Sequence, residues 1–344
     1  MSNETLAPAH IRDASPADAA AIERVARASW ADTYADIFDP SHISSFLATN
    51  YDPAALARAA ELAAPSDERH FLVAEREGEV VAFAQFGSGS RGPELFRIYA
   101  DPQHYGTGAG TALLDELHRR IAGRVDRYVL DVHSRNARGR GFYDGHGFVI
   151  VGGGATPECD LTLERRLLRP RVELPVRTER LVLRALRDDP ADVHSLHAIY
   201  GDAEAMRFVG STGRPLPDIE ATHRLLRHLC RGAELHGFTL WALDERDGDP
   251  LVGFAGLAWV ERHGPDVEAA YLLRRDRWGR GYATEARHAV LAVGHGPADL
   301  ECIVGLAYPE NIASQRVMAK AGMRPDGVQV AYGRELVRYL SERP

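Results

Sequence analysis

Residues 94–100 (ELFRIYA) alternate apolar and polar, and this period of two predicts a strand ending at Asp101-Pro102. Three glycines follow, Gly106, Gly108 and Gly110, and then the period changes. Ala112, Leu113, Leu117 and Ile121 fall on one face of a helix. The same reading gives the first half a short strand at 10–14 and a hairpin of 71–75 and 80–86 around Glu77-Gly78. Between them a helix starts at Ser15-Pro16 and is carried by Ala20, Ile22, Val25, Ala26 and Trp30. Strands at 128–133, 148–152 and 159–165 follow the glycine-led helix. In the second half, Leu181 and Leu183 alternate with Val182 and Arg184 as a half-buried edge strand would. Helical spacing covers 219–231, and 238–243 with 251–258 predicts a hairpin around Asp247-Gly248. A strand at 268–273 then leads to a helix opened by Gly281.

The halves repeat one another. Tyr105-Gly106-Thr107-Gly108-Ala109-Gly110 returns as Trp278-Gly279-Arg280-Gly281-Tyr282-Ala283, and each precedes an apolar helix. Asn136 stands 11 residues before Gly147-Phe148, and Asn311 stands 11 before Gly322-Met323. Two copies of loop, helix, strand, Asn-led helix and Gly-apolar strand predict two domains of one architecture.

Strand, glycine turn, helix is a phosphate-binding layout. The first N–H groups of a helix lack partners within it, its dipole adds positive charge there, and glycines keep Cβ atoms away from an approaching diphosphate. A dinucleotide fingerprint would need a further Gly or Ala where Thr111 stands. A P-loop needs Gly-Lys-Ser/Thr, and Lys320 is the only lysine in the sequence. The frame from Tyr105 to Gly110 resembles the acyl-CoA loop of the GNAT acetyltransferases, Q/R-x-x-G-x-G/A, with Tyr105 replacing the leading Gln or Arg. The chain thus resembles two GNAT domains in tandem: 1–168, a linker at 169–176 (two prolines and mixed charge), and 177–344. The second resembles the ribosomal-protein alanine acetyltransferase branch, through its Thr178-Glu179-Arg180-Leu181 strand and Tyr282-Ala283-Thr284-Glu285-Ala286.

This resemblance implies an α/β (α+β) fold in each half, a splayed, mostly antiparallel mixed sheet flanked by helices. It implies acetyl-CoA as acyl donor, with pantetheine pairing along Ile98, Tyr99 and Ala100 and a backbone N–H there holding the oxyanion. Contacts to the donor would come from Tyr105, Gly106, Thr107, Gly108, Ala109, Gly110, Thr111 and Asn136. The second half would use Gly279, Arg280, Gly281, Tyr282, Ala283, Thr284 and Asn311, and Arg274, Arg275 and Arg277 flank its loop. The implied reaction is direct attack of a primary amine on the thioester in a ternary complex. Tyr143, seven residues after Asn136, matches the tyrosine that sits beside the CoA sulfur in many GNAT enzymes. A phenol of pKa about 10 can protonate the departing thiolate. Glu94 is the candidate base.

In the second half Met318 occupies the position of Tyr143 and cannot donate a proton. Ser314, three residues after Asn311, matches the branch's alternative donor, and Glu268 is the candidate base or substrate anchor. A non-catalytic binding or scaffolding role for one half, the second above all, is the competing expectation. The segment 30–51, rich in aromatics and carboxylates (Trp30, Asp32, Tyr34, Asp36, Phe38, Asp39, Tyr51), would wall the first acceptor pocket and suits a cationic amine, as well as a helix packing its rings inward. The acceptor is expected to be a small-molecule amine or a protein N-terminus, and the oligomeric state is open between monomer and homodimer.

Net charge −8 argues against a general nucleic-acid or anionic-membrane binder. Cys159, Cys230 and Cys302, odd in number and far apart, read as reduced thiols of a cytoplasmic protein, with no zinc or other metal frame. Histidines such as His194 and His197 are not at metal spacing. Neither a signal-peptide pattern nor an apolar run of transmembrane length is visible.

Overall fold

A computed structural model describes residues 9–63, 66–153, 159–167 and 172–344, and the chain divides into two compact units, Met1–Leu168 and Arg169–Pro344. The first unit runs β1 (His10–Asp13), α1 (Ala19–Thr33), α2 (Pro40–Asn50), α3 (Pro53–Ala63), β2 (His70–Arg76), β3 (Glu79–Gly89) and β4 (Gly92–Ala100). It continues with α4 (Ala109–Ile121), β5 (Arg127–His133), α5 (Ala137–Gly145), β6 (Phe148–Gly153) and β7 (Asp160–Arg166). Among the described residues the strands form one sheet in the order β1-β2-β3-β4-β5-β7-β6. Glu77 and Gly78 both have positive φ (51° and 82°), the two-residue turn whose twist matches the hairpin strands it joins.

Every pairing in this sheet is antiparallel except β4 with β5, and that one is registered only at Glu94 and Val129. Parallel neighbours need a crossover, and α4 supplies it. Its Leu113, Leu114, Leu117 and Ile121 are almost wholly buried against the sheet, each contributing about 1.5–3 kcal/mol. The expected apolar face omitted Leu114 and included Ala112, which is only half-buried. From Glu94 onward the two strands part. β4 also bulges: Leu95 faces Phe86 and Arg97 faces Gln85, leaving Phe96 as the extra residue.

The second unit repeats this plan. It contains β8 (Val176–Arg177), β9 (Leu181–Arg184), α6 (Pro190–Tyr200), α7 (Ala203–Met206), α8 (Ile219–His236), β10 (Leu240–Glu245), β11 (Gly253–Trp259) and β12 (Val267–Leu273). Then come α9 (Tyr282–His295), β13 (Cys302–Ala307), α10 (Ile312–Lys320), β14 (Arg324–Ala331) and β15 (Arg334–Glu342). The sheet order is β14-β15-β13-β12-β11-β10-β9-β8, and its parallel pair, β12 with β13, is registered only at Glu268 and Val304. β12 pairs with β11 without a bulge. Glu94 and Glu268 therefore occupy the same crossing point in the two units.

Three sequence expectations change. Leu181–Arg184 is not the edge of its sheet, because β8 pairs outside it. The helix expected at 219–231 runs on to His236, since Gly232 is tolerated and termination waits for Gly237 in the left-handed region (φ 80°). Of the expected linker at 169–176, residues 169–171 lie outside the described residues; Val172 and Leu174 pack on the second core and Val176 opens β8.

A further repeated feature was not visible in the sequence. Arg12 on β1 bonds Asp18 ahead of α1 and Glu75 on β2, both at 2.8 Å. Arg184 on β9 bonds Asp192 in α6 at 2.7 Å and Asp244 on β10 at 2.8 Å. Each arginine ties the first long helix to two neighbouring strands.

Candidate active site

In the first unit the glycine loop follows directly from β4. Asp101 accepts the N–H of Gln103 at 3.0 Å and starts a single 3-10 turn. Gly106 and Gly108 then take φ of 73° and 84°, and Gly108 caps α4 with no side chain on its free N–H groups. A Cβ at either glycine would meet nothing within 4 Å. They are needed for backbone sign, and the space above them is open to an anion. Gly110 serves differently: a Cβ there would meet the Phe142 ring at 3.2 Å, so this glycine lets α5 close on α4.

The loop side chains are spent on holding the loop. Thr107 donates its hydroxyl to the His104 carbonyl and accepts Arg76 on its own carbonyl, both at 2.7 Å. Tyr105 bonds Ser29 at 3.2 Å and lies under the Arg138 guanidinium at 4.1 Å, tying the loop to α1 and α5. Thr111 is held by His146 at 3.1 Å. What faces the open space is backbone.

Along Ile98, Tyr99 and Ala100 the strand pairs with β3 on one side, while the edge toward β5 carries no partner strand. Tyr143, on α5, packs edge-on to Phe142 and Phe148 beside this gap. Tyr34, Tyr51 and Tyr99 converge on the same place, with Tyr51 and Tyr99 rings 6.2 Å apart. Burial raises all four phenols above the ordinary tyrosine value; Tyr34 and Tyr51 add to this at Tyr99 and Tyr143, while hydrogen bonds with Tyr99 oppose it at Tyr34 and Tyr51. Asn136 caps α5 through Oδ1 to the Gly139 N–H (2.8 Å) and donates its amide to the Tyr34 hydroxyl (3.3 Å). Trp30, Phe38 and Phe46 extend the aromatic wall around Tyr34. Asp32 of the expected acidic set is instead paired with Arg138 at 3.0 Å. Glu94 sits at the closed end of β4, 3.4 Å from Arg91, which also bonds Asp131 at 2.7 Å.

The second unit builds the same loop. Gly279 and Gly281 have φ of 75° and 80°, and Gly281 caps α9 with no side-chain cap. Arg180 clamps this end: it bonds Glu285 at 2.7 Å and the Arg280 carbonyl at 2.8 Å, and lies 5.0 Å from the Tyr282 ring centre. A groove of about 820 Å³ runs past Gly281 and Thr284 along α9, with Arg177, Arg180, His288 and Lys320 in its lining. Ala283 stands where the first unit has Gly110. Arg274 and Arg277, considered for phosphate contact, are engaged by Asp249 and Asp276, and Arg277 also by Glu245 at 2.9 Å. Asn311 caps α10 through the Ser314 N–H at 3.1 Å, leaving Ser314 half-buried in the first turn. Met318 is fully buried.

Glu268 is half-buried where β12 leaves β13, and Tyr332 donates its hydroxyl to it. Burial lifts the Glu268 carboxyl above the usual range, opposed by that hydrogen bond and by Arg287. Sequence reading missed Tyr332, which bonds Glu268, and Arg287, which acts on it through space; the fold alone brings them near. Among the described residues, no cluster of three or more His, Cys, Asp or Glu side chains is arranged to hold a metal ion, and no helix is long and apolar enough to cross a membrane.

Models of the acetyltransferase (GNAT) domain match residues 180–324 and 67–150. An N-acetyltransferase of Mycobacterium tuberculosis is 34% identical over 139 residues, covering 38% of this chain and 85% of the relative. The spermidine N(1)-acetyltransferase of Thermoplasma acidophilum is 28% identical over 157 residues, covering 45% of this chain and 96% of the relative. Among solved structures, the PaiA N-acetyltransferase of Thermoplasma acidophilum in complex with coenzyme A aligns at 26% identity and TM-score 0.43, over 46% of this chain and 98% of that one. With two matched domains, each built on a glycine-led helix beside a parting pair of parallel strands, the chain belongs to the GNAT acetyltransferases and is an acetyl-CoA-dependent N-acetyltransferase.

Proposed function

We propose that the chain acetylates a primary amine by direct attack of that amine on acetyl-CoA, and that both units carry out the transfer. The observation that carries this reading is Tyr143 in the gap beside the unpaired edge of Ile98–Ala100. Its phenol stays protonated because burial opposes the phenolate. As the C–N bond forms and the C–S bond breaks, Tyr143 gives its proton to the sulfur. Backbone N–H groups of the open β4 edge hold the carbonyl oxygen. Glu94, at the closed end of the strand, takes the amine's proton only through intervening water. The free N–H groups after Gly108 and Gly281 hold the diphosphate: the space beside Gly108 is open, and the Arg180 guanidinium stands 3.3 Å from where a Cβ on Gly281 would be.

The rings of Trp30, Tyr34 and Tyr51 suit a cationic amine, and the spermidine acetyltransferase among the relatives supports a small amine acceptor for at least one unit. In the second unit Glu268 takes the amine's proton, with Ser314 near the leaving group.

Turnover of acetyl-CoA with spermidine, and with an alanine-initiated peptide, tests the reading. Tyr143→Phe should lower kcat of the first unit by about 100-fold with little change in KM. The activity that remains should disappear on adding Ser314→Ala or Glu268→Gln. Full activity in Tyr143→Phe would contradict the assignment. Met318 favours one competing reading, in which the second unit binds CoA without turnover. That reading requires Tyr143→Phe alone to abolish catalysis.

A further inference from the structure

Arg287, in the second turn of α9, is the anomaly of the second unit's core. It lies six residues after the capping Gly281, where the first unit has Leu114 six after Gly108. Leu114 is fully buried in an apolar cluster, and Arg287 is 4% exposed. Room for the larger side chain comes from β13. Gly305 follows Val304 there, whereas the first unit has the buried Leu130 after Val129. A Cβ on Gly305 would lie 3.0 Å from Nη1 of Arg287 and against the sulfur of Met318. Met318 holds the place of Tyr143, so the guanidinium reaches the region that the phenol occupies in the first unit.

The charge is not matched by an anion in contact. Nη1 of Arg287 donates to the Met323 sulfur at 3.4 Å, the guanidinium lies 5.3 Å from the Tyr271 ring centre, and Nε is buried without a partner among the described residues. Glu268 acts on it through space but is hydrogen-bonded to Tyr332. Burying a cation so placed carries a desolvation cost that a leucine would not. Packing alone therefore gives no reason for it, and an incoming anion does.

Alternation along β12 shows where that anion would stand. Val267, Ala269 and Tyr271 pack on the α9 side, and Ala270 and Leu272 pack on the α6–α8 side. Glu268 therefore faces α6–α8, while Arg287 comes from α9 on the other side of the point where β12 leaves β13. A thioester lying in that opening would present its sulfur to one and the attacking amine to the other.

We infer that Arg287 stabilises the departing thiolate in the second unit, an electrostatic replacement for the proton donated by Tyr143 in the first. The inference rests on the proposal that the second unit transfers acetyl groups. The amine nitrogen bonds to the carbonyl carbon, the C–S bond breaks, and its electron pair stays on sulfur beside the guanidinium. The amine's proton passes to Glu268, and Arg287 keeps its own. The charged and titratable groups around the guanidinium are Glu268 and Tyr271 from β12 and Tyr332 from the turn after β14.

The test is the titration of the CoA thiol itself. Gly108→Trp confines binding to the second unit, and calorimetry with CoA verifies that this unit is occupied. The thiolate is then followed by ultraviolet difference between the CoA and desulfo-CoA complexes as pH rises. The bound thiol should ionise about one pH unit or more below free CoA. Arg287→Leu, the residue at the same place in the first unit, and Arg287→Met, which keeps length without charge, should both remove that depression. Arg287→Lys should retain most of it. The same two apolar variants should lose about tenfold or more in kcat with KM for acetyl-CoA little changed, while Tm holds or rises. A thiol that ionises as in free CoA, or a depression that survives in both apolar variants, would overturn the inference. Failure of Gly108→Trp to bind CoA would instead remove the reading of the second unit as a transferase, and the inference with it.

Discussion

Tyr143 and Asp18 show how single side chains set pH behaviour here. Burial keeps the proton on Tyr143, with Tyr34 and Tyr51 adding to the effect. An acid whose pKa is raised remains competent to higher pH, so the alkaline fall in first-unit kcat should lie above the ordinary tyrosine value of about 10. A kcat profile against pH with spermidine checks this; a fall centred below that value would contradict it. Asp18 is the opposite case. Arg12, with the Ser15 N–H and hydroxyl, holds its carboxyl down at about 2. A carboxyl lowered in the fold stabilises it above the unfolded value of about 4 and loses that contribution as pH falls through the folded value. Asp18→Asn should therefore cost about 1–2 kcal/mol at neutral pH, and the gap to the unaltered protein should close toward pH 2. A gap that persists in acid denaturation curves would show that the ion pair is not its cause.

At the scale of elements, the two glycine loops make a matched experiment. Gly108→Ala and Gly281→Ala each force a side chain into φ near 80°, at about 1–2 kcal/mol. Acetyl-CoA affinity should fall about tenfold at the altered unit, and titration calorimetry reads each loss separately. These loops, the strand before each and the Asn-capped helices after them were legible because residues close in sequence set them. Gly106 and Gly108 must bend, and Asn136 and Asn311 must cap. Gly110 was misread in its purpose, since its neighbour Phe142 comes from α5. The bulge at Phe96 was hidden because the alternation on either side of it reads as one strand. Tyr332, Arg287 and the meeting of Tyr34, Tyr51 and Tyr99 were hidden for a related reason. Each is joined to its partners by the sheet and not by spacing along the chain.

For the whole molecule, duplication is the governing fact. Each unit has its own core, its own parting pair of parallel strands and its own uncapped helix N-terminus. Yet the chemistry at the parting point has diverged: Tyr143 and Leu114 in one unit, Met318 and Arg287 in the other. On the proposed reading, one architecture carries two solutions to the same leaving-group charge, a proton in one and a fixed cation in the other. The most direct test of this account is calorimetric titration of the full chain with acetyl-CoA, read for stoichiometry beside Gly108→Trp and Gly281→Trp. Two equivalents should bind, with one lost in each variant. A single equivalent, abolished by only one of the two substitutions, would contradict it.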